Sequence, residues 1–324
     1  MSFSDPRDDS DHTLLSLGLV LVMLGAFGYL VLGSRSGSID EFTGFGALIA
    51  LPVCVGALLT LNLGSYSPLG CLVAPVGLGI LCYILVQLGA EGLICVVMVM
   101  PVWFLAGLGG GLVALFALRR KEDDDAGSSR LRSVGLAVLP FLLIYAEEVA
   151  PADWEQREVV RSVVIEAEAE KIWPLLVSIP RIGPEEGKGT FTHDWLGVPR
   201  PTEARLVERN GERVRLAQWG ADARFEEAIT SIRPGRSIDW DFTFPDPSLQ
   251  NKVDRHVSPD GEILKIRSGS YRLEPMPDGR TRVTLATRYA MCSRLDWYFG
   301  WWGERMLGDV QNNVLAIIRQ RSAA

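Results

Sequence analysis

Three consecutive polar side chains, Asp254, Arg255 and His256, are the residue types in this sequence best suited to chemistry. They lie in a loop before the sixth of seven predicted strands. A histidine oriented by a carboxylate can act as a general base near neutral pH, and an arginine can hold an anionic head group through two parallel hydrogen bonds. His256 and Asp254 are therefore the candidate catalytic residues and Arg255 is a candidate ligand contact. A structural network within the loop, or simply exposed charges, is the alternative.

Other catalytic patterns are missing from the sequence. It contains no GxSxG, no HExxH and no phosphate-binding glycine-rich loop, because "GLGGG" at 107–111 falls inside an apolar run. His193 with Asp194 is a weaker polar pair. Glu226 and Glu227 are adjacent on a strand, so they face opposite sides and make a poor acid/base pair.

Cysteine usage gives no sign of a metal site or of a disulfide framework, because no CxxC spacing occurs. Four cysteines lie in apolar runs and one stands alone after them: Cys54, Cys71, Cys82, Cys95 and Cys292. We predict neither a metal nor another cofactor.

The candidate binding surface is apolar and comes from strand alternation. In "SIDWDFTF" the residues Ile238, Trp240, Phe242 and Phe244 share one side, and "VTLATRYAM" places another apolar row on one side. Gly269 is a predicted bulge, because the residues before it fall in the opposite register. The predicted ligand-binding residues are Trp240, Phe242, Arg255, Tyr271, Thr287, Tyr289, Trp297 and Trp302. The alternative is that the aromatic residues are core residues.

The first half of the chain is far more apolar than the second. The 324 residues have a mean hydropathy of +0.18, and nearly all uninterrupted apolar runs precede residue 150. A helix needs roughly 20 apolar residues to cross a bilayer. Residues 1–150 are therefore predicted to be a membrane region, and 151–324 a separate domain. The five predicted transmembrane helices cover about 13–33, 42–63, 70–89, 92–118 and 131–149. The last is marginal, and an interfacial or re-entrant segment is its alternative.

The charged loops predict the orientation of these helices. The leader "MSFSDPRDDSDH" is acidic, unlike a signal peptide, whereas "LRRKEDDDAGSSRLR" at 118–132 carries five basic residues. That loop should be cytoplasmic, which places the N-terminus inside and the domain after 150 outside. If the fifth segment does not cross, the domain is cytoplasmic. No span has a charge near its middle, which argues against transport.

The second half reads as an α+β domain. Alternation and turn signals predict strands at about 158–165, 202–208, 212–219, 224–231, 236–244, 262–274 and 281–291. A helix follows the first strand, and a long helix covers 293–321 with Ser293 as its N-cap. The net charge of −7, with arginines interleaved among acidic residues, argues against a nucleic-acid-binding surface.

This order of elements resembles the SRPBCC superfamily, also called START-like or polyketide cyclase-like. Three stretches carry the resemblance: "VVRSVVIEAEAEKIWPLLVSIPRI", "FEEAITSIRPGRSIDWDFTFP" and "SGSYRLEPMPDGRTRVTLATRYAM", followed by the tryptophan-rich helix. It implies a helix-grip fold, in which a curved seven-stranded antiparallel sheet surrounds a long C-terminal helix and leaves a hydrophobic cavity. The segments "DRHVSPDG" and "WGERMLGDVQNNVLAIIRQR" are also similar to uncharacterised bacterial membrane proteins that fuse such a domain to several spans.

The expected function is binding of a lipid-like or other hydrophobic small molecule by a domain anchored in a bacterial cell membrane as a multi-pass protein. Apolar surface buried in a preformed cavity contributes about 25 cal/mol per Å², so such a ligand needs few polar contacts. The alternatives are a cofactor-free cyclase- or hydrolase-like enzyme with His256 as base, and an interaction module without ligand.

Overall fold

A computed structural model of the chain describes residue 14 and residues 17–26, 44–62, 71–87, 93–119, 126–150, 152–253 and 257–323. The chain divides into two compact units. The helical unit contains nearly all residues up to Ala152, and the α+β unit contains Asp153–Cys292 and Asp296–Ala324.

The described residues of the helical unit form five apolar helices. They are α1 (Leu17–Ala26), α2 (Leu51–Asn62, preceded by the π-helical turn Gly46–Ala50), α3 (Val73–Gln87), α4 (Leu93–Arg119) and α5 (Ala126–Val149). Buried side chains of α1, α2 and α5 form one core cluster. The carboxylate of Glu147 on α5 accepts hydrogen bonds from the backbone N–H groups of Phe45 and Gly46, at 2.8 and 3.1 Å. These two donors begin the helical turn and would otherwise lack a partner.

Glycines let α2 and α4 touch backbone to backbone. A Cβ added at Gly56 would overlap the carbonyl oxygen of Gly107, and one added at Gly110 would overlap that of Val53. The "GLGGG" stretch therefore serves helix packing, as small residues commonly do between apolar helices.

Among the described residues, one helix segment, Leu93–Ala117, is both long and apolar enough to cross a membrane. Its 25 residues have a mean hydropathy of 2.2, and only 17% of its most apolar window is buried. The apolar stretches Leu17–Ala26 and Gly46–Leu61 are shorter. Parts of the other predicted spans lie outside the described residues, so the five-span arrangement stays a prediction.

The α+β unit contains the predicted seven-stranded antiparallel sheet, in the order β1-β7-β6-β5-β4-β3-β2. The strands are β1 (Trp154–Ile165), β2 (Pro201–Arg209), β3 (Glu212–Trp219), β4 (Ala223–Arg233), β5 (Ser237–Thr243), β6 (Leu264–Pro275) and β7 (Thr281–Cys292). The predicted strand bounds are confirmed to within a few residues, because alternation and turn glycines are local signals. Gly211 and Gly279, with φ of 81° and 80°, occupy hairpin turns that favour glycine.

In the part of this unit that the structure describes, four helices accompany the sheet: α6 (Ala169–Val177), α7 (Phe191–Asp194), α8 (Ser248–Val253) and α9 (Asp296–Ser322). Leu315 and Ile318 of α9 join sheet side chains in the largest core cluster of this unit. An antiparallel sheet packed along one face on a long C-terminal helix is the helix-grip architecture, and this part of the fold prediction is confirmed.

Two local predictions are corrected. The register shift in β6 lies between Ile266 and Ser268, so the bulge precedes Gly269. Gly269 instead pairs with Trp240 and lies directly beneath the indole ring, where a Cβ would overlap Cζ2. The helix α9 begins at Asp296, three residues after the predicted start. The hydroxyl of Ser293 accepts a hydrogen bond from the N–H of Leu295, just before the helix begins.

The helix α9 approaches β1 closely because it carries glycines where large side chains lie beneath it. A Cβ at Gly300 would overlap the guanidinium of Arg157, and one at Gly308 would overlap that of Arg161. Each glycine inside a helix costs about 1 kcal/mol relative to alanine. Glycine is needed at these two positions despite that cost, because the helix lies close against the side chains of Arg157 and Arg161.

Candidate functional site

The loop that the sequence singles out, Asp254–His256, lies outside the described residues. The proposals for His256 and Asp254 as catalytic residues and for Arg255 as a ligand contact therefore stay predictions. The helix α8 directly precedes this loop in the sequence, and its Leu249 and Val253 pack on the aromatic side chains of β3–β5.

We call the surface formed by these aromatic side chains the aromatic end of the sheet. Trp219 meets Phe225 edge to face at 5.3 Å between ring centroids, and Phe225 lies 5.8 Å from Phe242 and 6.2 Å from Phe244. Phe225 is buried, whereas Trp219, Phe242 and Phe244 are only half-buried. Aromatic pairs at these separations attract one another beyond their burial of area, so the rings form a connected surface that still reaches solvent.

His193 adds a polar atom to the edge of this surface. Its ring meets Trp219 nearly edge to face, with centroids 6.3 Å apart, and the side chain is only 7% exposed. Nδ1 lies 2.9 Å from the carbonyl oxygen of Val198, while Nε2 is buried and has no hydrogen-bond partner among the described residues. Burial lowers the pKa of His193 below its ordinary value, so the imidazole is neutral near pH 7.

The tautomer of His193 follows from these contacts. A carbonyl oxygen can only accept, so Nδ1 must carry the proton, and a neutral ring then has a bare lone pair on Nε2. Such an atom can accept a hydrogen bond or a proton.

A strap, defined as residues 186–194, positions His193 by its hydrogen bonds to α9. Gly187 exchanges two hydrogen bonds with the amide of Gln320, at 2.7 and 3.1 Å, and Lys188 N donates to Asn313 Oδ1 at 2.8 Å. Thr192 donates from both its N–H and its hydroxyl to Asp309. Polar residues on α9 therefore hold the irregular backbone of the strap in place.

A buried ion pair lies between the aromatic rings and the main core. Arg215 and Glu227 face each other across β3 and β4, are 4% and 6% exposed, and form a salt bridge. Arg215 also donates to the carbonyl of Leu176, and its guanidinium lies 4.8 Å from the ring centroid of Trp240. Burial alone would lower the pKa of Arg215, but Glu227 raises it above its ordinary value. The pair is fully engaged, which suits a structural role.

The predicted ligand-binding residues are dispersed. Trp240 and Tyr271 lie side by side in the main core, with centroids 5.2 Å apart, and burial raises the pKa of Tyr271 to about 12. Phe242 lies at the aromatic end, 5.9 Å from Trp240.

The remaining predicted residues lie near α9 or on it. Thr287 is buried and accepts a hydrogen bond from Gln311, and Tyr289 is buried against Val159. Trp302 is buried beside Phe191, whereas Trp297 is 73% exposed. The structure thus brings Trp240, Phe242 and Tyr271 together and leaves Trp297 on the surface.

A cleft of about 240 Å³ lies between the segment that leads into the strap, the start of β2 and α9. Its walls include Ile182, Pro184 and Ile317, and Asn313 and Arg200 contribute polar atoms. Asn313 is completely buried, and its Nδ2 has no partner among the described residues. Arg200 is held by Asp194 at 2.6 Å. The cleft suits a small group that accepts hydrogen bonds.

Sequence reasoning missed the pairing of Arg215 with Glu227, the polar contacts of α9 and the helix α8. Glu227 was correctly placed on the opposite face from Glu226, yet its partner comes from another strand. The only local signal for the contacts of α9 was the presence of Gln311 and Asn313 within an otherwise amphipathic helix.

Several solved structures are similar to the α+β part of the chain. The Zhui aromatase/cyclase from Streptomyces sp. R1128 is 14% identical over 52% of this chain and 94% of its own, with a TM-score of 0.31. The di-domain ARO/CYC BexL from the BE-7585A biosynthetic pathway is 10% identical over 67% of this chain and 63% of its own, with a TM-score of 0.34. Truncated norcoclaurine synthase from Thalictrum flavum is 9% identical over 52% and 94%, with a TM-score of 0.33.

No family model matches the chain, and no curated protein matches it. The assignment to the helix-grip architecture therefore rests on the strand order and on the position of α9. The chain therefore combines an apolar helical unit with a helix-grip domain that follows it in the sequence.

Proposed function

We propose that the α+β unit binds a lipid-like or other apolar small molecule at its aromatic end. The observation that carries the proposal is the set of half-buried rings, Trp219, Phe242 and Phe244, joined through the buried Phe225. When a ligand covers large aromatic side chains that are partly open to solvent, the burial of their apolar surface favours binding by about 25 cal/mol per Å².

The rest of the inner face is filled by side chains, which leaves the aromatic end as the place for a ligand. Between the sheet and the C-terminal half of α9, the space is filled by side chains that include Ile172, Leu176 and Ile238, each essentially unexposed. A ligand there would have to displace a well-packed core, which costs several kcal/mol. The resemblance to the SRPBCC superfamily independently supports an apolar ligand.

The helical unit is proposed to anchor this domain in a bacterial membrane, with the domain on the extracytoplasmic side. Support comes from large apolar side chains exposed on its helices, such as Leu105, Val113 and Phe116 on α4, which are 65–69% exposed. Exposed apolar surface of this extent marks a lipid or partner interface. Resistance of the chain to alkaline extraction from membranes tests the anchor. A phosphatase fused to the C-terminus, which is active only outside the cytoplasm, tests the side.

The binding proposal is tested on the purified full chain by solvent extraction and mass spectrometry. We expect an apolar compound from the wild type and at least fivefold less from the double variant Phe242→Ala/Phe244→Ala. The matched control is Phe299→Ala, which truncates a half-buried phenylalanine packed in a different cluster on α9. Equal recovery from all three proteins would place the compound elsewhere, and no recovered compound together with no uptake of added 2-methylnaphthalene would refute binding.

A further inference from the structure

We propose that the ligand of the aromatic end presents a hydrogen-bond donor, such as a hydroxyl group, to Nε2 of His193. This inference rests on the proposed function and adds a chemical class to it. The ligand would be an apolar molecule with a neutral donor at one edge, and neither a pure hydrocarbon nor an anion.

Nε2 of His193 needs a hydrogen-bond donor. It is buried, it has no partner among the described residues, and Nδ1 already faces the carbonyl oxygen of Val198. A buried acceptor without a hydrogen bond destabilises the protein. A group that donates to Nε2 recovers this cost, whereas a hydrocarbon placed against the same atom does not.

The imidazole lies beside the apolar contacts. The ring of His193 packs on Trp219, and Trp219 packs on Phe225, so a ligand that covers the half-buried Trp219 lies next to His193. Because Nε2 is enclosed by protein atoms, a ligand group reaches it by displacing side chains around it, while hydrogen bonds from Thr192 to Asp309 hold the neighbouring backbone of the strap.

An anionic head group does not suit Nε2 of His193. The charges that act on the imidazole come from Asp194, Asp309 and Arg200. Burial opposes protonation of the ring, and Arg200 is already engaged by Asp194. A carboxylate would therefore meet a lone pair where it needs a donor. A hydroxyl, phenol or N–H group has the required polarity.

Three probes of nearly equal size separate the possibilities in binding to the purified full chain. 2-Naphthol donates a hydrogen bond, 2-methoxynaphthalene only accepts, and 2-methylnaphthalene does neither. We expect the wild type to bind 2-naphthol about tenfold more tightly than the other two, since a net gain near 1.4 kcal/mol corresponds to tenfold. His193→Phe, which keeps a ring against Trp219 but removes the acceptor, should bind all three equally.

Two further variants control for folding and for general loss of the surface. His193→Gln can place an amide oxygen near the position of Nε2 and should retain part of the preference for 2-naphthol. Trp297→Phe changes an exposed ring away from His193 and should leave the preference unchanged. If all three probes bind the wild type equally, the donor inference is wrong and binding at the aromatic end stands. If none binds, the proposed function itself fails. A preference that survives in His193→Phe would assign the donor to another acceptor.

Discussion

Two ends of the same inner sheet face are filled in different ways. At the closed end, defined by the cluster around Ile172, Leu176, Ile238, Leu285 and Leu315, side chains from α6, α9 and the sheet interdigitate and exclude solvent. At the aromatic end, α8 and the strap leave Trp219, Phe242 and Phe244 half-buried.

The difference shows that strand alternation assigns a face without deciding what covers it. Phe242 and Trp240 lie two residues apart on β5 and point to the same side, yet Trp240 is 2% exposed and Phe242 is half-buried. Between the two ends lies the pair Arg215–Glu227. Glu227 is in register with Phe242, and Arg215 stacks on Trp240.

The largest effect is expected from breaking this pair. Arg215→Leu leaves the Glu227 carboxylate buried without its partner and should lower the free energy of unfolding by about 3–5 kcal/mol. The double variant Arg215→Leu/Glu227→Leu removes both charges and should recover most of the loss. Chemical unfolding followed by near-UV circular dichroism measures both.

Arg209→Leu, at the more exposed pair Arg209–Glu226, is the control and should cost at most about 1 kcal/mol. If the single and the double Arg215 variants are equally unstable, the boundary between the two ends owes its stability to shape and not to charge pairing.

Truncating one side chain at each end should lower the free energy of unfolding by different amounts. Leu176→Ala opens a cavity at the closed end and should cost about 2–5 kcal/mol, because Leu176 is completely buried. Phe244→Ala at the aromatic end should cost about 1–2 kcal/mol, because part of the ring is already in water. Equal losses in the unfolding free energy would mean that the aromatic end is packed as densely as the closed end.

Gly269 tests how tightly Trp240 is held. Gly269→Ala pushes a methyl group into the indole and should cost about 1–3 kcal/mol. Combined with Trp240→Phe, which removes the overlapping ring atoms, the same substitution should cost much less, and a double-mutant cycle on unfolding free energies gives the coupling. Additive losses would contradict direct contact as the cause.

The smallest effect on stability is expected from the ion pair between Glu186 and Arg321, near the C-terminus of α9. Hydrogen bonds from Arg321 lower the pKa of Glu186 from 4.5 to about 2. Because the folded pKa lies below the unfolded one, this stabilisation is present above about pH 4.5 and disappears as the pH falls towards 2. Glu186→Gln should cost about 1 kcal/mol or less at pH 7, and clearly less as the pH falls to 2.

Thermal midpoints of wild type and Glu186→Gln across pH 2–7 measure this difference, with the exposed neighbour Glu185→Gln as control. A gap between wild type and Glu186→Gln that stays constant down to pH 2 would show that the side chain acts through shape and not through charge.

Most of the fold could be predicted from the sequence, because strand alternation and turn residues depend only on neighbouring positions. Alternation in "SIDWDFTF" placed Ile238, Trp240 and Phe242 on one face, and alternation with turn signals placed the last strand at about 281–291. The site was predicted less well. The short helix α8, inside a connection rich in proline and serine, was not expected, and neither was a buried role for His193.

What the sequence alone determined is therefore the set of elements and the side of each strand that avoids water, since both depend on spacings of two to four residues. Only the tertiary structure decided which part of the inner face is filled, that Arg215 pairs with Glu227, and that His193 is left with a bare Nε2. Each of these depends on groups brought together from distant segments, where burial and pairing set the charge and the hydrogen-bonding state of a side chain. The spacing of residues along the chain does not show which distant groups will surround a side chain.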